Sequence, residues 1–210
     1  MIEVIIADDH PIVRAGLKQI IMEDDTISVA GEASNGAELL KHVRRQDYDV
    51  ILLDLTMPGM DGLDVLKQLK IEKPRIPVII LTIHPESQYA LRILKAGASG
   101  YLTKESASDE LIRAIHKVHR GGKYISPSLA EKIAFALDDD TAKLPHETLS
   151  DREYQVFCLI GAGKTVSQIA DALALSVKTV STYRTRILEK LRMQNNAELI
   201  HYAVQNGLVE

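Results

Sequence analysis

Ile51-Leu52-Leu53-Asp54, continuing as Leu55-Thr56-Met57-Pro58-Gly59-Met60-Asp61-Gly62, is an apolar run that ends in one carboxylate before the chain turns. In a parallel sheet such a run is a strand buried on both faces. Its C-terminal end is where open α/β sheets place their ligand sites. A second run, Val4-Ile5-Ile6-Ala7, ends in Asp8-Asp9 in the same way. Three carboxylates brought together repel one another strongly unless a cation joins them. The alternative is a set of solvated acids in surface loops. Repetition at strand ends favours a divalent-metal site.

Working outward, short apolar runs alternate with amphipathic ones. The strand candidates are Glu3–Ala7, Ser28–Ala33, Val50–Leu53, Val78–Leu81 and Gly100–Leu102. Between and after them the helical patterns are Pro11–Met22, Gly36–Arg45, Gly62–Glu72, Ser87–Ala96 and Ser106–Arg120. In the first helix, Ile12, Leu17, Ile20 and Ile21 are read as one side, and Pro11 sits near N1, where its missing N–H does no harm. Gly97, Gly121 and Gly122 mark helix ends. Strict alternation argues for βαβ units and a parallel sheet. Five such units in about 120 residues predict an α/β flavodoxin-like (βα)5 domain.

The later strands end in Thr82 and in Thr103-Lys104. Asp8, Asp9, Asp54, Thr82 and Lys104 form a coherent chemical set. Carboxylates and a backbone carbonyl bind Mg²⁺. A metal and an ammonium neutralise a transferred phosphoryl group. Asp54 is the candidate nucleophile, forming an acyl phosphate. On these residues, 1–122 resembles the receiver domain of a two-component response regulator. The resemblance implies that Asp54 accepts a phosphoryl group from a sensor histidine kinase. It implies Mg²⁺ held by Asp9, Asp54 and the Thr56 backbone carbonyl, with Asp8 acting directly or through water. Thr82 would follow the phosphoryl group, Lys104 would pair with it, and Tyr101 matches the family's switch aromatic. The family lysine is often followed by a cis proline, whereas Glu105 follows here. A cis bond without proline costs ~2.5–4 kcal/mol, so this peptide is expected trans or as a strained exception.

Net charge is −4, which by itself argues against a nucleic-acid partner. The distribution argues otherwise: Glu147 to Glu210 holds seven Lys/Arg against seven Asp/Glu, so the acidic excess lies earlier. Lys178, Arg184, Arg186, Lys190 and Arg192 form a basic stripe broken only by Glu189, a candidate electrostatic footprint. Cys158 is the one cysteine, which rules out an internal disulfide. It lies in an apolar helical pattern and reads as a core residue. Glu3, Asp8 and Asp9 come too early for a signal-peptide layout, and no apolar stretch is long enough to span a bilayer. A cytoplasmic setting without membrane attachment is expected. His116 and His119 are three apart on a helix without a visible third ligand, and are read as solvated.

Residues 123–146 read as a linker. Ser126 is a candidate cap with Pro127 at N1 for a short helix to about Leu137, followed by Asp138-Asp139-Asp140 and a turn at Pro145-His146-Glu147. The domain at 147–210 is all-α. Ser150 caps a helix at Asp151–Gly161, with Glu153 at the capping-box position. A short helix at Val166–Leu173, a turn, and a longer helix at Val177–Leu191 give a helix-turn-helix layout. On the longer helix Val177, Val180, Ile187, Leu188 and Leu191 share an arc with Arg184, while Lys178, Ser181, Thr182, Thr185, Arg186 and Glu189 lie opposite. A closing helix is read at Ala197–Gln205.

These residues resemble the NarL/FixJ (LuxR-type) helix-turn-helix domain, through Leu149-Ser150-Asp151-Arg152-Glu153, Gly163-Lys164-Thr165, Ile169-Ala170 and Ser176 to Leu191. Tyr183 stands where the family often has histidine, and Gln168 where it often has glutamate. The resemblance implies that Ser181, Thr182 and Thr185 face bases of double-stranded DNA. Lys178, Thr179, Tyr183 and Arg186 would mainly contact its backbone, and the closing helix would form a homodimer. The expected function is a phosphorylation-dependent DNA-binding transcriptional regulator, not an enzyme beyond at most slow self-phosphorylation and self-dephosphorylation. A phosphatase with an aspartyl-phosphate intermediate would need a second carboxylate two residues after Asp54, where Thr56 stands.

Overall fold

A computed structural model describes residues 1–83, 86–127, 129–131, 144–173 and 175–209. The chain divides into two compact units, Met1–Glu131 and Lys132–Glu210.

In the first unit β1 (Ile2–Ala7), β2 (Ile27–Ala33), β3 (Val50–Asp54), β4 (Val78–Thr82) and β5 (Gly100–Thr103) alternate with helices. These are α1 (Pro11–Ile21), α2 (Gly36–Arg45), α3 (Gly62–Glu72), α4 (Glu86–Lys95) and α5 (Ala107–His119). The strands are parallel in the order β2-β1-β3-β4-β5, the flavodoxin-like order. That order reverses direction between β1 and β3, so a crevice opens where their C-terminal ends diverge. Asp8 and Asp9 follow one of those strands and Asp54 ends the other. The registers Ala7↔Leu53, Asp54↔Leu81 and Thr82↔Thr103 bring the strand ends level.

Every residue of β3 and β4 is buried, as expected for strands covered on both faces. One face packs Val4, Ile6, Leu52, Ile79 and Leu102 against Leu17 and Ile21 of α1 and Leu111 and Ile115 of α5. Ile12 does not join this core; it is 87% exposed. At 100° per residue Ile12 stands about 140° from Leu17 and 180° from Ile21, so no single face holds all three. Gly97 (φ 104°) and Gly121 (φ 84°) end their helices in the left-handed region, whereas Gly122 does not. His116 is not simply solvated: its Nε2 lies 2.8 Å from Asp24 Oδ2. Asp24 also accepts from the Thr26 hydroxyl and amide. Those bonds, the hydroxyl's foremost, with His116 adding to them, pull its carboxyl down to about 2.

After α5 the chain returns to the sheet. Tyr124 bridges Gly100 in parallel, donating to Ser99 O at 2.8 Å and accepting from Tyr101 N at 3.2 Å. Ser126 Oγ then accepts from Leu129 N at 3.1 Å, the capping bond expected of it. The rest of the expected helix to Leu137 and the Asp138–Asp140 run lie outside the described residues.

The second unit opens with a 3-10 turn at Pro145–Thr148. It continues with α6 (Asp151–Gly161), α7 (Val166–Ala172), α8 (Val177–Leu191) and α9 (Asn196–Gln205). Phe157, Ile160, Ile169, Val180, Ile187 and Leu199 form its buried interior. Ser150 and Glu153 make the expected reciprocal capping box, and Thr165 and Gln168 make a second one. In that second box Gln168 Oε1 accepts from Thr165 N at 2.9 Å. Val177 departs from the expected arc and is half exposed, because it sits at the helix's first position.

Glu153 is buried and its Oε2 lies 2.6 Å from Lys190 Nζ. Burial alone would raise its carboxyl pKa, but Lys190 and the Ser150 amide outweigh that and hold it below the usual value. A depressed carboxyl stabilises the fold above its unfolded pKa, and that support is lost as pH falls through the folded one. Lys190→Met therefore should move acid unfolding of this unit to higher pH. The buried Ile169 and Ile187 methyl signals in an NMR titration of the full chain report it; an unchanged midpoint would contradict this.

Candidate metal centre and nucleic-acid interface

The crevice at the β1/β3 switch point holds the residues singled out above. Asp8 and Asp54 are nearly inaccessible, with 1% and 2% exposure, while Asp9 is partly exposed. Lys104, just past β5, places Nζ 2.7 Å from Asp8 Oδ2 and 2.8 Å from Asp54 Oδ2. Asp54 Oδ1 accepts from the Thr56 amide at 3.2 Å. Thr82 ends β4 wholly buried, and its carbonyl accepts from the Lys104 amide at 2.8 Å. Tyr101 lies within β5, fully buried, so its ring is turned into the fold. No cis peptide bond occurs among the described residues, so Lys104–Glu105 is trans.

Lys104 thus bridges Asp8 and Asp54, while Asp9 stands beside His10. Burial pushes the Asp54 carboxyl above its usual value; Lys104 opposes this, and the Asp8 charge adds to it. Burial alone would lower the Lys104 pKa, but its bonds to Asp54 and Asp8 outweigh that and hold it above the usual lysine value. Asp8 Oδ2 and Asp9 Oδ1 are buried and lie 2.7 and 2.8 Å from Lys104 Nζ and His10 Nδ1, which leaves each with lone pairs to spare. Atoms of Asp8, Asp9, His10 and Asp54 able to ligate a metal all lie within 4.8 Å of one another. Excess negative charge, oxygen donors and unsatisfied lone pairs fit a hard divalent cation.

Further residues complete the site. His10 Nδ1 stands 2.8 Å from Asp9 Oδ1. Arg14 on α1 donates from Nη1 to Asp8 O at 2.7 Å and pairs through Nε with Glu32 on β2, which also pairs with Lys18. This braces the Asp8 backbone from behind. Asp61 caps α3, its Oδ1 accepting from Leu63 N at 2.8 Å. Gly62 is required by close approach: a Cβ there would lie 2.5 Å from Leu55 Cα and 2.6 Å from Asp54 O. Gly62→Ala must therefore shift the backbone at Asp54. A loss of about 1–3 kcal/mol is expected, read as a lower denaturant midpoint; an unchanged midpoint would show the loop gives way freely.

In the second unit α8 presents its polar side outward. Ser176 accepts from Thr179 N at 3.0 Å and caps the helix. Lys178, Ser181, Thr182, Thr185 and Arg186 are exposed, and Thr179 and Tyr183 are partly so. Lys178, Thr179, Thr182, Tyr183 and Arg186 line one groove of about 320 Å³. The Ser181, Thr182 and Thr185 hydroxyls each donate to the carbonyl four residues earlier, at 2.9, 3.0 and 3.1 Å. Their remaining lone pairs are left as acceptors. Arg184, out of place in an apolar arc, instead bonds Asn196 Oδ1 on α9 and ties the two helices.

Two family models match the chain. Residues 4–116 match the response regulator receiver domain, and residues 147–203 match the bacterial regulatory proteins of the luxR family. The chain is 37% identical over 209 residues to response regulator UvrY of Escherichia coli K12, covering 99% of this chain and 96% of that one. It is 38% identical over 211 residues to response regulator GacA of Pseudomonas aeruginosa, covering 100% and 99%. Among solved structures it resembles RcsB of Salmonella enterica serovar Typhimurium bound to promoter rprA in the presence of the phosphomimetic BeF3-. There the TM-score is 0.65 at 28% identity, covering 96% of this chain and 97% of that one. No helix among the described residues is long and apolar enough to cross a membrane.

Proposed function

The chain belongs to the NarL/FixJ family of response regulators, which joins a receiver domain to a LuxR-type helix-turn-helix domain, and from that premise we propose that Asp54 is its phosphoryl acceptor and that α8 reads DNA under its control. The protein is a DNA-binding transcriptional regulator of a two-component system. The observation that carries the phosphorylation reading is the buried Asp54 carboxylate bonded to Lys104, beside two further carboxylates at a sheet's switch point.

In this reading the Asp54 oxygen attacks phosphorus as the P–N bond of a histidine kinase's phosphohistidine breaks, leaving an acyl phosphate. Lys104 already holds the Asp54 oxygen and moves with its charge onto the phosphoryl group. Thr82, at the adjacent strand end, offers its hydroxyl to the same group, and Tyr101, buried in β5, is the switch aromatic. Asp8, Asp9, Asp54 and the Thr56 carbonyl would hold Mg²⁺, which when bound neutralises charge on the transferred group. The receiver does not turn over a substrate beyond slow gain and loss of its own phosphoryl group. The protein works in the cytoplasm, and phosphorylation pairs two copies so that two α8 helices meet two half-sites.

The test is sizing and DNA binding with and without beryllofluoride and Mg²⁺, with Asp54→Ala as control. The parent is expected to dimerise and bind DNA more tightly on treatment. An equal response from the variant would place the switch elsewhere.

A further inference from the structure

The end of the sheet opposite Asp54 carries a groove of about 620 Å³, within the usual range for small-molecule sites. It lies where β3, β4 and β5 begin and α3 and α5 end. Lys70, Arg75, His119 and Lys123 line it, with Asp49 as an acidic member. Lys70 donates from Nζ to Ile76 O at 2.6 Å, and Lys123 donates to Ala98 O. Each ammonium therefore keeps two N–H donors. Neither has a carboxylate partner among the described residues. Asp49 already accepts the Glu3 amide at 2.8 Å.

A lysine in a helix's last turn is commonly there to answer the exposed carbonyls. That accounts for Lys70 alone. Lys123 lies beyond α5, and it faces the same groove as Lys70. Burial, with the Lys123 charge adding, holds Lys70 below the usual lysine value. Bringing two ammonium groups and a guanidinium to one concave surface is unfavourable for the bare fold and favourable once an anion enters.

We propose that this groove is a second ligand site, taking a small phosphate-bearing anion of the nucleoside diphosphate class, held by Lys70, Lys123 and Arg75. Pro74 and Pro77 supply apolar wall beside the cations. Arg75 is exposed and offers the bidentate geometry that suits a phosphate. The site is separate from the Asp54 crevice and does not depend on the phosphoryl-acceptor reading.

The probes are ADP and inorganic pyrophosphate, titrated into the full ¹⁵N-labelled chain in EDTA at constant ionic strength. Saturable shifts are expected at amides around Lys70–Ile76 and Gly122–Tyr124, unaltered in Asp54→Ala. The double variant Lys70→Gln/Lys123→Gln should bind about tenfold or more weakly, given what charge-assisted hydrogen bonds are worth. Should that variant fold poorly, Arg75→Gln at the exposed rim should still weaken binding severalfold. The proposal is overturned by the absence of saturable binding of either probe at millimolar concentration. It is equally overturned by shifts centred on Asp8, Asp54 and Lys104, or by full affinity in the groove variants.

Discussion

Asp54→Asn is expected to take up no phosphoryl group from a cognate kinase or a small phosphodonor. The loss should be on the order of 10³-fold or more, as when the reacting atom itself is removed. It is read as ³²P incorporation or intact mass. The amide keeps the shape of the side chain but not the nucleophilic oxygen. The same substitution carries a second, opposite expectation for stability. Burial raises the Asp54 carboxyl, so its ionised form at neutral pH burdens the folded state. Asparagine removes that burden, and Lys104 retains Asp8 at 2.7 Å. In EDTA the variant should melt at or above the parent's temperature. Dead for phosphorylation yet undiminished in stability is a combination that a purely structural Asp54 does not produce. A lower melting temperature, or labelling of the variant at the parent's rate, would contradict the assignment.

The second large effect is on α8. Lys178→Ala with Arg186→Ala removes two exposed cations that line one groove. Deleting a cation that neutralises one DNA phosphate should reduce the slope of log affinity against log salt by about 1. At physiological salt the double variant should bind DNA about 10–100-fold more weakly, whatever the sequence. Thr182→Val behaves differently. Its hydroxyl donates to Lys178 O, so it would meet a base or a bridging water as an acceptor. Replacement by the isosteric methyl should leave the salt slope unchanged and relax discrimination between duplexes. Fluorescence anisotropy over a salt series on two duplexes separates the two. A parental slope in the double variant would mean that these cations do not touch DNA.

Much of this architecture is readable because strands and helices declare themselves by where apolar runs stop. Gly36–Arg45, Gly62–Glu72, Asp151–Gly161 and Val177–Leu191 hold the bounds that capping residues and periodicity predict. The strands run slightly longer than their apolar cores: Asp54, Thr82 and Thr103 each belong to the ladder. A polar residue at a strand's end still pairs through its backbone, which hydropathy does not register. Ile12 misleads for the converse reason, since an apolar side chain in a helix's first turn need not face the core. His116 misleads because its partner Asp24 is 92 residues away.

Local chemistry along the chain determines the element types and their order, and it puts Asp8, Asp9, Asp54, Thr82 and Lys104 at the ends of strands, because turn residues and apolar runs act over a few neighbours. What only the folded sheet decides is which of those ends meet. The Lys104 bridge between Asp8 and Asp54, the Arg14 brace behind Asp8, the room reserved at Gly62 and the return of Tyr124 to β5 all join residues distant in sequence. No periodicity encodes such pairs; strand order and register do, by placing backbones a few ångströms apart and leaving side chains to find their partners there.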